Sequence, residues 1–296
     1  AHASVGFRPD AEVPEFGVGV LAGCEDFRHV TPVHRHKVDR PGKETLEILE
    51  DIELAKGLYG DRIETVFIGD SNSLVAKTGM LVNVLNALFT SFPHIQRVTS
   101  YARAKTIAKK PLEDLIKIRQ AGLNRLHVGL ETGDRELLQE IEKGATPEEM
   151  IEAGEKAKKA GFEYSLYVLL GIGGEEKWEQ HARGTAEVLN QIDPHFIRVR
   201  TFIPQPNSPI YEATVRGDFK SPSPETILRE TKLLLEELRV TSQFLSDHIS
   251  NLLPLHAKLS EDKEKMIQMI EEALQGLKEN GLLREEMEMR RQLTNL

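Results

Sequence analysis

The sequence predicts an α/β fold in which repeated strand–helix units form an open, partial barrel, with a further helical segment at the C-terminal end. Three features carry this expectation. Short β-branched runs alternate six times with amphipathic helical stretches, several helices open on a cap and close on glycine, and successive strands end in glycine or polar residues. Strand, helix, strand at this rhythm implies parallel strands joined by right-handed crossovers. A doubly wound sheet shares that pattern. The barrel is preferred because so many polar strand ends can converge on one mouth, where folds of this kind carry their chemistry.

The strands are predicted at residues 17–21, 64–69, 95–100, 125–130, 164–170 and 196–201. Between the first two, residues 44–58 set Leu46, Leu49, Ile52 and Ala55 at helical spacing on one face. Residues 112–121 form a second amphipathic stretch, stopped by Gly122. Thr146-Pro147-Glu148-Glu149 reads as a capping box with proline at the first helical position, and its helix runs to Ala160 before Gly161. Residues 175–191 give another helix, closed by the turn at Asp193-Pro194. Residues 204–209, with three prolines, form a long loop. Ser223-Pro224 caps a helix through Arg239, Ser260 starts another that ends at Asn280-Gly281, and the charged residues 285–291 continue it or fray.

Composition narrows the function classes. The chain has 296 residues, 40% of them hydrophobic, which suffices for a core, and no apolar run approaches the ~20 residues that span a bilayer. No basic-then-apolar leader opens the sequence, so a cytoplasmic protein is expected. One cysteine excludes an internal disulfide framework. A net charge of −9 argues against a general nucleic-acid surface, although Arg103-Ala104-Lys105 and Arg198-Val199-Arg200 are local basic patches able to hold a phosphate or carboxylate.

The candidate chemistry sits at strand ends. Gly69-Asp70-Ser71 offers a close backbone approach and a carboxylate for an ammonium or hydroxyl group; a self-bonded turn is the competing account. Ser100 can bond a sugar hydroxyl and Arg103 a carboxylate, or both can belong to a turn. Glu131 closes the fourth strand, where a carboxylate must be solvated, ligand-bound or paired, an arginine of the barrel being the expected partner. Gly171-Ile172-Gly173-Gly174 is a glycine-rich strand–helix turn, short of a dinucleotide fingerprint. Arg198 and Arg200 share a strand face by period two, pointing inward as anion ligands or ion-pair partners, or outward to solvent.

Taken in order, these segments resemble the radical S-adenosylmethionine (radical SAM) superfamily, in particular the branch with an Elp3/MiaB/NifB-type core. The resemblance runs from about Glu44 to Leu277. Its carriers include Val66-Phe67-Ile68-Gly69-Asp70, Val98-Thr99-Ser100-Tyr101-Ala102-Arg103, His127-Val128-Gly129-Leu130-Glu131-Thr132-Gly133, Glu142-Lys143-Gly144, Leu170-Gly171-Ile172-Gly173-Gly174 and Ile197-Arg198-Val199-Arg200. It implies a (β/α)6 partial TIM-type barrel over residues 44–215, a divergent N-terminal strand and cluster loop over 1–43, and a C-terminal helical extension over 216–296. It also implies S-adenosylmethionine and a [4Fe–4S] cluster as cofactors. Gly69, Asp70 and Ser71 would meet the cofactor's amino group, and Ser100 and Glu131 its ribose or methionine portion. The Gly171–Gly174 turn, with Gly171 and Ile172, and the Arg198–Arg200 strand would flank adenine, mostly through backbone.

The sequence departs from the family at the cluster. The family's chemistry takes three cysteines, usually C-x3-C-x2-C, to hold three irons, and electron transfer into the sulfonium then cleaves a carbon–sulfur bond. Here only Cys24 has the right setting, after a glycine at the first strand's end. Three explanations compete: loss of the cluster with retention of the barrel; a different metal on Cys24 with His29, His34 and His36; or residues 1–42 lying outside the ancestral reading frame. The resulting readings are an enzyme of reductive S-adenosylmethionine cleavage that is impaired here, a cluster-free binding or scaffold protein keeping a nucleoside pocket, and a non-radical barrel lyase using Glu131 as base. The substrate is left open, with a small-molecule cofactor as the expected partner.

Overall fold

The structure, a computed structural model, describes residues 19–23, 31–32, 45–69, 71–206 and 208–279. The fold is α/β, with a mostly parallel, open sheet in the strand order β2-β1-β3-β4-β5-β6-β7-β8-β9. The described residues fall into two compact units, one within Ala11–Val128 and Glu152–Ser165, the other within Gly129–Ile151 and Leu166–Leu296.

In the first unit, β1 (Gly19–Gly23) and β2 (Thr31–Pro32) precede α1 (Thr45–Tyr59), β3 (Thr65–Gly69), a 3-10 turn at Ser73–Val75, α2 (Thr78–Ser91), β4 (Arg97–Ala102), α3 (Ala104–Lys109) and α4 (Leu112–Gln120). The strand β5 (Leu123–Glu131) follows, its residues from Gly129 on belonging to the second unit. β3 and β4 pair in parallel, as do β4 and β5. β1, second from the edge, departs from the expected all-parallel run, since it lies antiparallel to both β3 and β2; antiparallel pairing at the edge of an otherwise parallel sheet is a common arrangement. Along β3, Val66 and Ile68 are buried while Phe67 and Gly69 occupy the other face, the period-two alternation of a strand. The inward face of α1 is Ile48, Ile52 and Ala55. Leu46, expected on that face, is 68% exposed, because the i, i+4, i+7 set starting at Ile48 fits the 3.6-residue period. Helix α2, absent from the sequence reading, buries Leu81, Val84, Leu85 and Leu88 at the same spacing. Gly122 ends α4 at φ +117, and a Cβ there would overlap the Phe89 ring.

The second unit holds α5 (Arg135–Glu140), α7 (Trp178–Ile192), β7 (Phe196–Thr201), α8 (Pro209–Arg216), α9 (Pro224–Glu237), β8 (Gln243–Leu245), β9 (His256–Lys258) and α10 (Leu259–Glu279). Helix α6 (Pro147–Lys159) and strand β6 (Glu163–Leu170) contribute to both units. The capping box is formed as read: Glu149 N–H donates to Thr146 Oγ1 at 3.3 Å, and Thr146 N–H to Glu149 Oε2 at 2.9 Å. Ser223 caps α9 by accepting from Thr226 N–H. The segment expected to be a helical extension also supplies strands, β8 pairing parallel to β7 and antiparallel to β9. The loop expected over residues 204–209 gives way at Pro209 to α8, which Ser208 caps with proline in the first turn. The predicted end at Asn280-Gly281 and residues 285–291 lie outside the described residues. Among the described residues no helix is long and apolar enough to cross a membrane.

Candidate functional site

Each unit presents its own set of strand ends. In the first, β3 ends at Gly69; Asp70 lies outside the described residues, and Ser71 is exposed. The neighbouring Asn72 is the structural anchor of this corner. Its Oδ1 accepts from Arg103 N–H at 3.0 Å and its Nδ2 donates to Thr106 Oγ1 at 2.9 Å, tying the segment after β3 to the start of α3. The Arg103 side chain is left exposed.

Ser100 falls on the other side of its strand. It is fully buried in phase with Val98 and Ala102, and its hydroxyl donates to the Tyr101 carbonyl at 3.0 Å. The face it was expected to share belongs to Tyr101 instead. Tyr101 pairs across the sheet with His127 and packs edge-on to Phe67, ring centroids 4.9 Å apart, while Phe67 and His127 stack at 6.1 Å. These three rings make a half-apolar platform with polar edges, suited to a flat or sulfur-bearing ligand.

In the second unit, Glu131 ends β5 with φ 63, in the left-handed region that a non-glycine residue enters at a cost of about 1–3 kcal/mol. Its carboxylate meets Lys143 Nζ at 2.8 Å, with side-chain exposures of 17% and 20%. The partner is therefore a lysine from Glu142-Lys143-Gly144, and not a barrel arginine as the sequence suggested; the positive φ folds the carboxylate back over Gly129, within reach of Lys143. Gly129 makes room for this pair, because a Cβ there would sit 2.0 Å from Glu131 Oε1. Gly129→Ala is expected to expel the carboxylate and lower stability by about 1–3 kcal/mol; urea unfolding checks this, and an unchanged midpoint would refute the packing.

Gly171 follows β6 with φ +83. Its N–H donates to Glu230 Oε2 at 2.8 Å, and a Cβ there would overlap Ile227. Ile172 is buried, so this turn offers a ligand backbone rather than side chain. Glu230 Oε1 forms an ion pair with His181 Nδ1, both side chains having no exposure at all. His181 Nε2 reaches the Glu131 carbonyl at 3.2 Å. Burial by itself pulls the His181 pKa down, but the charge of the adjoining Glu230, the Glu131 carbonyl and Asp134 outweigh it and hold the imidazole above its ordinary value. Through this pair, α7 and α9 hold the two strand ends that carry Glu131 and Gly171. Neither residue stood out in the sequence, where each sits at an unremarked helical position.

Arg198 and Arg200 lie on one face of β7, alternating with buried Ile197, Val199 and Thr201. The Arg200 guanidinium carbon is 4.9 Å from the centre of the Tyr167 ring. Arg198 Nε is buried and has no hydrogen-bond partner among the described residues.

A [4Fe–4S] cluster of the kind the sequence resemblance implies takes three thiolates, and the residues present do not supply them. The chain has one cysteine, Cys24, which with His29, His34 and His36 lies outside the described residues. Among the described residues no group of three His, Cys, Asp or Glu side chains is placed to hold a metal ion. The donor set does not fit the cluster.

The family profile described as the Radical SAM superfamily matches residues 27–183. The chain belongs to the radical SAM superfamily. That match begins upstream of Glu44, where the motif resemblance starts. A heme chaperone, HemW of Bacillus subtilis (strain 168), is 24% identical over 208 residues, covering 68% of this chain and 54% of the relative; the chain thus spans about half the length of the curated relatives it matches. Among solved structures, the archaeal Elp3 of Methanocaldococcus infernus aligns with a TM-score of 0.52 at 14% identity, covering 76% of this chain and 58% of that one. Coproporphyrinogen III oxidase (HemN) from Escherichia coli aligns with a TM-score of 0.51 at 18% identity, covering 65% and 45%. At those identities the likeness is one of fold, the open radical SAM barrel.

Proposed function

We propose that this radical SAM protein binds S-adenosylmethionine, or a nucleoside built like it, at its strand ends, and that its own residues do not assemble the cluster that would cleave the ligand. The observation that carries the reading is Glu131: a non-glycine residue kept in a strained conformation at a strand end, with a partly buried carboxylate of which Lys143 engages one oxygen. Strain of this kind is kept where surrounding structure uses it. The second carboxylate oxygen is then the acceptor for a ribose hydroxyl or an ammonium group, and the Gly171 turn lies against the base through its backbone. In the family, the cluster supplies the electron for reductive cleavage; here Cys24 is one sulfur donor of the three required.

The test combines two measurements on one preparation. Calorimetry with S-adenosylmethionine is expected to show binding that Glu131→Gln weakens by about tenfold, the effect of one charge-assisted hydrogen bond. Anaerobic iron and sulfide reconstitution is expected to leave a colourless protein without 5′-deoxyadenosine production. Absence of heat and of thermal stabilisation would refute the binding reading, and a cubane cluster retained at full occupancy would refute the cluster-free reading. The curated relatives named as heme chaperones make heme the second ligand for the same titration, and a saturable shift of its Soret band without any response to S-adenosylmethionine would favour it.

A further inference from the structure

Five described arginines, Arg125, Arg135, Arg183, Arg216 and Arg229, are each paired with a glutamate or aspartate. Among the described residues Arg198 and Arg200 are in no ion pair, in a chain with 47 acidic and 38 basic residues. Both are partly buried on one face of β7. Buried guanidinium N–H groups normally find an acceptor, and Arg198 Nε has none. Two like charges on alternate residues of one strand face also repel, so the fold tolerates an arrangement that an anion would relieve. Their positive field reaches a neighbour. Burial first, and the charge of Arg200 second, hold His248 below the ordinary imidazole value, against the opposite influence of Asp247. Tyr167 supports the Arg200 guanidinium from β6 and limits its orientations. A planar fork of N–H donors held in this way matches a carboxylate better than a spherical cation would.

We infer that Arg198 and Arg200 form a carboxylate-binding site, and that the substrate class of this protein is one that carries a carboxylate. The arginine site stands on its own observations; only its assignment to the substrate rests on the nucleoside-binding reading, in which backbone of the same strand flanks the base.

The experiment is a titration of the full chain with glutarate, its neutral diamide, inorganic phosphate, S-adenosylmethionine and 5′-methylthioadenosine, which lacks the cofactor's carboxylate. Glutarate is expected to bind, the diamide not to, and the double variant Arg198→Gln/Arg200→Gln to lose glutarate affinity by at least about tenfold. Arg198→Lys, which keeps the charge and removes the fork, is expected to fall between. Arg239→Gln, an exposed arginine elsewhere, is the control and should bind as the wild type does. Equal binding of glutarate by the double variant would overturn the site, as would tighter binding of phosphate than of glutarate. If the double variant weakened S-adenosylmethionine but not 5′-methylthioadenosine, the arginines would hold the cofactor's own carboxylate, overturning the substrate assignment. Glutarate binding without S-adenosylmethionine binding would sink the nucleoside reading alone; the reverse result would sink the arginine site alone.

Discussion

Glu230→Ala is expected to lower the stability of this protein by about 3–5 kcal/mol, the range for removing one partner of a buried ion pair. The carboxylate and the His181 imidazole are both without exposure, and Glu230 also accepts the Gly171 N–H. Truncation therefore leaves a buried ring nitrogen and a buried amide unpaired together. Denaturant unfolding measures the loss. The same pair predicts a pH dependence whose sign follows from the direction of the shift. His181 is held above its unfolded value of 6.5, so its contribution is fully present below that pH and is lost as pH rises through the folded-state pKa. Wild-type stability should thus decline on the alkaline side of 6.5, and Glu230→Gln, which keeps the shape and removes the charge, should flatten that decline. A wild-type profile with no such decline, or one that Glu230→Gln leaves unchanged, would show that the pair does not hold a proton.

Gly133→Ala is expected to cost about 3 kcal/mol, the upper end of the usual overpacking range, because the added methyl meets main chain instead of a movable side chain. Its Cβ would lie 2.2 Å from the Gly184 carbonyl oxygen and 2.7 Å from Thr185 Cα. Gly133 N–H also donates to the Thr185 side-chain Oγ1 at 2.9 Å, and the chain just after β5 runs close against the α7 main chain at Gly184. The substitution must push β5's last residues away from α7, and Glu131, two positions earlier, moves with them. Loss of stability should therefore be accompanied by weakened S-adenosylmethionine binding. Gly184→Ala, whose Cβ would stand 3.0 Å from Asp134 Cα, should be the milder of the two. Thermal denaturation ranks them, and a wild-type midpoint for Gly133→Ala would mean that the two backbones do not touch.

Much of the secondary structure was legible because it is encoded locally. Strand β7 occurs at the predicted residues, the Thr146 capping box forms reciprocally, and Ser223-Pro224 opens α9. Helix α2 was equally legible, with apolar residues at helical spacing, and was passed over beside the stronger strand signals. The site was less legible. Period two places alternate residues on opposite faces but does not say which face is covered by helices, so Ser100 and Tyr101 could not be told apart from the strand alone.

The sequence by itself determined the α/β class, the order of the repeated units, the family, and the single sulfur donor, since each is a property of residue type and spacing along the chain. Tertiary structure alone decided that Lys143 neutralises Glu131, that His181 and Glu230 bind two strand ends together, that β1 runs antiparallel, and that Arg198 and Arg200 are left without a carboxylate among the described residues. Those outcomes depend on pairings between residues far apart in the chain. Such pairings follow from which surfaces meet, and local periodicity carries no record of them.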